Sequence, residues 1–584
     1  MNLIQKVLKI IQVEIKDLIS EGIILSSADL TKINLDMTKD PAHGDFSTNA
    51  AMVLSKSSGM KPHDLGKIIA ERLKEKKEFR TIEIAGPGFI NIRLVSEFWR
   101  SLVPIILKSG IGYGDSNIGK GQLVNIEYVS ANPTGPMHIG HARGAVFGDA
   151  LSSLLEKVGY KVTREYYIND GGSQIDVLAR STYLRYREAL GEDIGKIPEG
   201  LYPGDYLKNL GELIKRKDGD KWKNLSEDEW LDSFRKMAIQ EMMALIREDL
   251  SSLGVRHSVF VSEAELVGKG ANDQVLKDLK EDNLVYTGIL DAPKGKSSAS
   301  WEARPQLLFR SSQFGDDVDR ALKKADGEWT YFASDIAYHR DKFKRGFNKM
   351  IDVWGADHKG YVKRMQSAVD AITNGEGSLS VSLCNLVNLL EDGKPSKMSK
   401  REGSFVTLRD VVKAVGSDAV RFIMLTRNND VALDFDLKIV LDQSKDNPLF
   451  YVQYAHARIC SLLRNVFDIF PDISVSDEDL SDADLNLLTS DSEIEMIKEL
   501  ANWPEVVKRS AKANEPHRVA FYLYELASSF HSLWNKGNSE EELRFIIPGH
   551  RDKTLVRLAL ARTVAIVIAS GLGVMGVKPV EEMR

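Results

Sequence analysis

Between Leu123 and Val158 the hydrophobic period switches from two to about 3.6 across a loop of prolines and glycines, and few folds accommodate that change. Leu123 to Val129 alternates as a strand does, with Val124, Ile126 and Tyr128 on one face and Asn125, Glu127 and Val129 on the other. Asn132 to Gly140 forms the loop. Beyond it Leu151, Leu154, Leu155 and Val158 recur at i, i+3, i+4 and i+7, the stripe of an amphipathic helix. Strand, glycine-bearing loop and helix together open a nucleotide-binding α/β domain with a mostly parallel sheet. Further strands are predicted at Lys161–Tyr167, Met350–Trp354 and Leu379–Leu390, and the charged stretch 170–305 reads as an insertion.

The flanks have a different character. Leu3, Ile4, Val7, Leu8, Ile11, Ile15, Leu18 and Ile19 repeat at helical spacing, and Thr81–Leu94 reads as two strands around Gly86-Pro87-Gly88, which makes residues 1–110 a small α+β domain. From 446 onward strand signals stop. Asn447-Pro448 is a helix start, helices are predicted over Pro516–Trp534 and Lys553–Ser570, and the acidic stretch Ser474–Asp484 reads as a loop. The division is therefore 1–110, 111–445 and 446–584, in keeping with 584 residues at about 150 per domain.

Composition narrows the classes. The formal net charge of -6 offers no global attraction to nucleic acid, so an RNA partner must be held by local basic patches. Cys384 and Cys460 are the only cysteines, without CxxC spacing, which excludes a disulfide scaffold or a four-cysteine zinc site and suits a reducing compartment. The N-terminal segment resembles neither a signal peptide nor a transit peptide. The uncharged run Thr563–Val577 falls short of the roughly 20 residues of a membrane span, and Gly571 and Gly573 are expected to break it.

Two motifs carry chemistry. Ser130-Ala131-Asn132-Pro133-Thr134-Gly135-Pro136-Met137-His138-Ile139-Gly140-His141 sits where strand passes to helix, a place where free backbone N–H groups attract phosphate. The imidazoles of His138 and His141 can donate hydrogen bonds to phosphate oxygens, and Gly140 lets a nucleotide base approach the backbone. Far downstream, Lys394-Pro395-Ser396-Lys397-Met398-Ser399-Lys400-Arg401-Glu402-Gly403 puts two lysines three apart on a basic loop, where they can clamp a triphosphate as charge builds on departing pyrophosphate. Either motif alone is more often a solvated surface turn. Their order, with a helical domain behind them, makes coincidence a poor account.

These HIGH-type and KMSK-type elements resemble the two signatures of class I aminoacyl-tRNA synthetases, with Arg401 where the KMSKS pattern has serine. The arginyl-tRNA synthetase family in particular is resembled over Val124–Leu151, Arg164–Gly172, Tyr331–His339, Val353–His358, Leu433–Asp436 and Tyr451–Arg458. The resemblance implies an α/β multidomain enzyme: a Rossmann-like class I catalytic domain with an insertion, a small α+β N-terminal domain on the tRNA core, and an all-α C-terminal anticodon-binding domain. It implies ATP-dependent activation of L-arginine and transfer to the 3'-terminal adenosine of tRNA(Arg), releasing AMP and pyrophosphate. His138, Gly140, His141, Lys397, Met398, Ser399 and Lys400 would meet the ATP phosphates, and Gly140, Gly355 and Asp357 the adenosine. Glu127, Ser130, Asn132, His141, Tyr331, Asp335 and His358 would meet arginine. A planar cation with five donors calls for paired carboxylates, here Glu127 and Asp335. The expectation is Mg2+ carried with ATP, no metal held by the protein alone and no zinc, with ATP, L-arginine and tRNA(Arg) as partners of a cytoplasmic monomer that needs no membrane. A cysteinyl specificity would call for zinc-ligand cysteines, and an acidic substrate for Arg or Lys in place of Glu127 and Asp335. A small nucleotidyltransferase would lack the helical domain, and a non-catalytic paralogue would have lost a signature residue.

Overall fold

A computed structural model describes residues 3–38, 40–290, 304–324, 326–395 and 406–583. The first helix, Leu3–Ser20, buries Leu3, Ile4, Val7, Ile11, Ile15 and Leu18. It belongs to a domain built on β1 (Leu35–Met37), β2 (Phe46–Thr48), β3 (Phe79–Ala85) and β4 (Phe89–Leu94), an antiparallel sheet in the order β1-β2-β4-β3. The two strands predicted around Gly86-Pro87-Gly88 are β3 and β4. β1 and β2 are too short to show a period and escaped the sequence.

Along the chain follow β5 (Leu123–Glu127), β6 (Lys161–Ile168), β7 (Val259–Ser262), the short β8 (Val285–Gly288), β9 (Gln306–Phe309) and β10 (Arg320–Ala321), then β11 (Lys349–Gly355) and β12 (Ser378–Cys384). Five of them pair in parallel in the order β12-β11-β5-β6-β7, and β10-β9-β8 form a small antiparallel sheet beside them. β5 sits at the centre. The chain leaves it to one side for β6 and β7 and returns on the other for β11, so the strand order reverses between β5 and β11. In parallel sheets the ligand crevice opens at the carboxyl ends of such a pair.

Three sequence expectations are corrected here. The stretch 170–305 is not wholly an insertion, because it supplies β7, the edge strand of the central sheet. Its helices Gln174–Ala189, Tyr206–Asp218 and Glu227–Ser252 do form a separate core around Tyr183, Tyr186, Trp222, Trp230 and Phe234. The single strand predicted over Leu379–Leu390 is two: β12 ends at Cys384, and β13 (Val387–Glu391) joins β14 (Lys394–Pro395) and β15 (Leu433–Asp436) in another sheet. Finally, the polar face of β5 is not a solvent face. Asn125 and Glu127 are buried along with Val124 and Ile126, as befits a central parallel strand covered on both sides.

The C-terminal region from Pro448 is helical. The helix Arg551–Val574 runs straight through Gly571 and was not broken there as expected. A Cβ on Gly571 would lie 2.6 Å from Leu523 Cδ2, so the glycine serves close helix packing rather than termination. At 24 residues, with mean hydropathy 1.8, this helix is long and apolar enough to cross a membrane, but 83% of its apolar window is buried inside the protein. The acidic stretch is also not all loop. Asp477–Ser481 is a short helix capped by Ser476, and Asp477 pairs in bidentate fashion with Arg562 at 2.7 and 3.0 Å.

The last domain touches both others. Trp503 Nε1 donates to Tyr113 O at 2.9 Å and the Tyr113 hydroxyl donates to Leu500 O, while Lys498 pairs with Asp45 of the first domain at 2.8 Å. One connected apolar core takes in Leu54, Trp99, Val146, Phe435, Trp503 and Phe530, and so passes through all three regions.

Candidate functional site

At the end of β5 the backbone turns through two successive left-handed residues, Val129 (φ 71°) and Ser130 (φ 39°). That region is unfavourable for any side chain and worst for a β-branched one, so the surroundings must impose it. Ser130 shows how. Its hydroxyl donates to Glu127 Oε1 at 2.9 Å and accepts the Tyr167 N–H at 3.1 Å, pinning the turn between β5 and β6. The loop then runs through Asn132, whose amide donates to Gln174 Oε1 at 3.1 Å, to the helix Ile139–Lys157.

Two histidines cap that helix. His138 Nδ1 accepts the Gly140 N–H at 3.1 Å, and His141 Nδ1 accepts the His138 N–H at 3.3 Å, a reciprocal box with the rings stacked 3.9 Å apart. An Nδ1 that accepts carries no proton, so the proton of each neutral ring sits on Nε2. Burial, helped by the neighbouring His138, lowers His141 to about 4, and burial lowers His138 too. Both rings are therefore uncharged donors at neutral pH. A Cβ on Gly140 would stand 2.8 Å from His138 Cε1, which is why this position is glycine.

Across the crevice, the helix Tyr331–Lys344 carries Asp335, whose Oδ2 accepts the Tyr361 hydroxyl at 2.5 Å. Burial raises its carboxyl to about 6 against the opposing effects of Tyr361 and His339, and Glu127 and Asp352 push the same way as burial. Glu263, at the start of the helix that follows β7, is raised to about 7 by burial and then by Asp335 and Asp170. Asp170 is held in place by Ser262 Oγ at 2.7 Å and the Ala264 N–H at 2.8 Å. Tyr167, stacked on Tyr338 at 4.3 Å, feels Glu263, Asp335 and Glu127 together. Among the described residues no Lys or Arg pairs with Asp335 or Glu263. Two neighbouring carboxyls, Glu263 buried and Asp335 half-buried, with raised pKa values and no such partner mark a place where a positively charged group would be welcome.

Glu127 was expected to be Asp335's partner there; it acts on the Asp335 carboxyl electrostatically and also carries an ion pair inside the protein. Its Oε2 lies 2.7 Å from the ammonium of Lys342, which is fully buried and also 2.9 Å from Asp352. Asp352 in turn lies 2.9 Å from His339 Nε2 and is held at about 2, where Lys342 and His339 overcome its burial. The reason is physical. A carboxylate on the central strand is cut off from water and must find a cation inside the protein, and Lys342 supplies it. Glu263 is a further carboxyl beside Asp335, one that the sequence did not single out. It went unnoticed because an acid in the first turn of a helix looks like an ordinary cap; Tyr361 lies just beyond the Val353–His358 segment.

Of the other expected contacts, Tyr331 sits one turn before Asp335 with its ring 66% exposed. Gly355 ends β11, and Asp357 and His358 follow it, both exposed and 3.4 Å apart. Lys397, Met398, Ser399 and Lys400 lie outside the described residues. The chain beyond them returns to the first motif: Thr407 bridges His138, and the Leu408 N–H donates to Met137 O at 2.8 Å.

A parallel sheet that reverses at β5 and β11, with a histidine-capped helix on one side and an acidic pocket on the other, agrees with the match of residues 102–444 to the family described as tRNA synthetases class I (R), catalytic domain. Residues 5–94 match the arginyl tRNA synthetase N terminal domain, and residues 452–583 the DALR anticodon binding domain. The chain is 56% identical over 574 residues to the arginine--tRNA ligase of Parvibaculum lavamentivorans, covering 98% of both. It is 52% identical to that of Ruegeria pomeroyi over the full length of each. In fold it is similar to the solved Thermus thermophilus arginyl-tRNA synthetase, at TM-score 0.70 and 18% identity, over 98% of this chain and 100% of that one. The chain belongs to the arginyl-tRNA synthetase family.

Proposed function

We propose that this protein is an arginine--tRNA ligase that reads the guanidinium of L-arginine with Asp335 and Glu263. The observation that carries the reading is this carboxyl pair, close enough that Asp335 raises the Glu263 pKa and without a Lys or Arg partner among the described residues. In the first step an arginine carboxylate oxygen attacks the α-phosphorus of ATP and the bond to pyrophosphate breaks, leaving arginyl-adenylate. In the second, a ribose hydroxyl of the tRNA terminal adenosine attacks the arginyl carbonyl and AMP departs. No side chain forms a covalent bond. The Nε2–H groups of His138 and His141 donate to phosphate oxygens, and Lys397 and Lys400, with Met398 and Ser399 between them, meet the charge that grows on pyrophosphate. Gly140, Gly355 and Asp357 face the adenosine, while Ser130, Asn132, Tyr331 and His358 border the amino acid.

Among the described residues no group of three His, Cys, Asp or Glu side chains stands at metal-binding distance. The imidazoles at the helix start offer nitrogen, a poor ligand for a hard cation. Mg2+ in this reading therefore arrives with ATP, held by phosphates and water. The N-terminal domain takes the tRNA core and the helical domain the anticodon arm. One chain carries the full residue set, so a monomer suffices, and two free thiols suit the cytoplasm. The direct test offers labelled amino acids singly with ATP and total tRNA; arginine alone should become attached, and charging by another amino acid instead would overturn the reading.

Two further results are expected. Lys400→Ala should slow adenylate formation by roughly 10²–10³ and leave arginine affinity nearly unchanged, because the contact strengthens only as pyrophosphate leaves. Single-turnover kinetics at saturating arginine measure this, and an unchanged rate with weaker arginine binding would contradict it. The second concerns pH. Arginine binds the ionised carboxyls, so its affinity should fall as pH drops through about 7 and then about 6, where Glu263 and Asp335 take up protons. In the free protein both folded pKa values lie above the unfolded ones, so these groups favour folding at low pH and the benefit is lost as pH rises through 6 to 7. Arginine should thus raise the melting temperature more at pH 8 than at pH 5.5, and calorimetry near pH 6.5 should register proton release on binding. Affinity flat from pH 5.5 to 8 would show that neither group meets the guanidinium.

A further inference from the structure

The last turn of the helix Glu227–Ser252 reaches both motif regions at once through Asp249, which is 1% exposed. Its Oδ2 accepts the N–H of Met137, the residue just before the cap His138, at 3.1 Å. Its Oδ1 accepts Arg409 Nε at 3.0 Å and stands 2.9 Å from Nη2. Arg409 is the second residue of the helix Leu408–Val415, where the chain emerges from the lysine-bearing motif, and it also reaches the exposed Glu248 at 3.1 Å. The Met137 peptide is thus gripped on both edges, its N–H by Asp249 and its carbonyl by the Leu408 N–H at 2.8 Å. Asp249, Met137, Leu408 and Arg409 close a ring of hydrogen bonds that joins the histidine cap to the second helix, with the bridge of His138 to Thr407 inside it.

We propose that Asp249 is a positioning residue for adenylate formation: it sets the separation of the histidine-capped helix and the helix Leu408–Val415, and so of the histidine cap and the point at which the chain leaves the lysine-bearing motif. It touches no substrate. A buried carboxylate is an expensive way merely to hold packing, since its burial must be offset by partners. Here the partners are the Met137 amide on one side and the Arg409 guanidinium on the other, and they belong to the two elements whose spacing matters. Asparagine could keep the bond to Met137 but would lose the charge-assisted pair with Arg409. The guanidinium pocket stands on other elements, the helix Tyr331–Lys344 and the turn after β7, so a change of spacing here should spare arginine.

The inference rests on the phosphate-binding reading above, and the test separates the two. Asp249→Asn, Arg409→Met, the double variant and His138→Ala are made in the full chain. Each is assayed by ATP–pyrophosphate exchange with tRNA present, ATP and arginine being varied separately, with active sites titrated and melting temperature recorded. Misplacement of about 1 Å costs up to roughly 10² in rate, so Asp249→Asn and Arg409→Met should each lower kcat per titrated site by about tenfold or more and raise the KM for ATP. The arginine KM should stay within about twofold, and the double variant should be no worse than the poorer single, because both break one bridge. Unchanged kcat per site with only a lower melting temperature would make Asp249 purely structural, and multiplying losses in the double variant would show that the two residues act apart. Either outcome overturns the proposal. If His138→Ala also leaves exchange untouched, the phosphate-site reading fails with it; if His138→Ala is impaired and Asp249→Asn is not, only the positioning role falls.

Discussion

Asp335→Ala should lower kcat/KM for arginine by roughly 30-fold to several thousandfold, the usual cost, about 2–5 kcal/mol, of truncating one partner of a desolvated charge pair. The size follows from the site. Asp335 is held by the Tyr361 hydroxyl and faces Glu263, so it is already aimed when substrate arrives and reorganises little. A guanidinium is flat, always charged and forked, and two carboxyls can meet it along two edges. Lysine brings a point charge and would leave acceptors unpaired, while citrulline is neutral and would leave the carboxylate charge uncompensated. Asp335→Asn keeps the shape and one acceptor and should fall nearly as far, because the charge is what is lost. The KM for ATP should move little. Glu263→Gln should reproduce the arginine defect, whereas Glu127→Gln should act mainly through stability. Steady-state kinetics with each substrate varied decide it: arginine kcat/KM within a few-fold of wild type in both Asp335 variants would remove this residue from the guanidinium site.

Lys342→Met is the second change with a large expected effect, and it is one of stability. It leaves Glu127 and Asp352 buried without their ammonium, and breaking a buried pair from one side typically costs about 3–5 kcal/mol. Removing both partners of such a pair is often nearly neutral, so Glu127→Gln with Lys342→Met should recover much of the loss, with Asp352 still beside His339. Because Glu127 also receives the Ser130 hydroxyl, the single variant should loosen the left-handed turn at Val129 and Ser130 and impair activity even at temperatures where it stays folded. Chemical denaturation of the single and double variants, read beside specific activity, measures both parts. A Lys342→Met protein as stable as wild type would mean that the pair does not bear on folding; a double variant less stable than the single would mean that Glu127 is held by something else.

The elements that place the site were legible where the signal was local. Alternation at Leu123–Val129, the proline and glycine loop and the stripe after it located β5 and its helix, because pleat and helical pitch write their periods into neighbouring residues. The sequence placed His138, Gly140 and His141 at a helix start as phosphate contacts, and the structure adds that they cap that helix by acting on one another within a single turn. Asp335 was singled out through its family motif. The failures have a different shape. β7 has four residues and lies inside a charged stretch, so nothing local announced that it joins the central sheet. Gly571 looked like a breaker because the need for a small residue comes from Leu523 on another helix.

Periodicity and spacing in the chain thus settle which segments become strands and helices and which motif opens the sheet, since each depends on residues a turn or two apart. The partner of each buried charge was settled by packing. Lys342 and Glu127 are 215 residues apart, Asp249 and Met137 112, and Trp503 and Tyr113 390. Which carboxylate faces a ligand and which is neutralised within the protein depends on what the neighbouring element brings within about 3 Å, where low dielectric makes one pairing far better than its rivals. Glu127 and Glu263 are the same residue type; Lys342 arrives beside the first, while no Lys or Arg among the described residues pairs with the second.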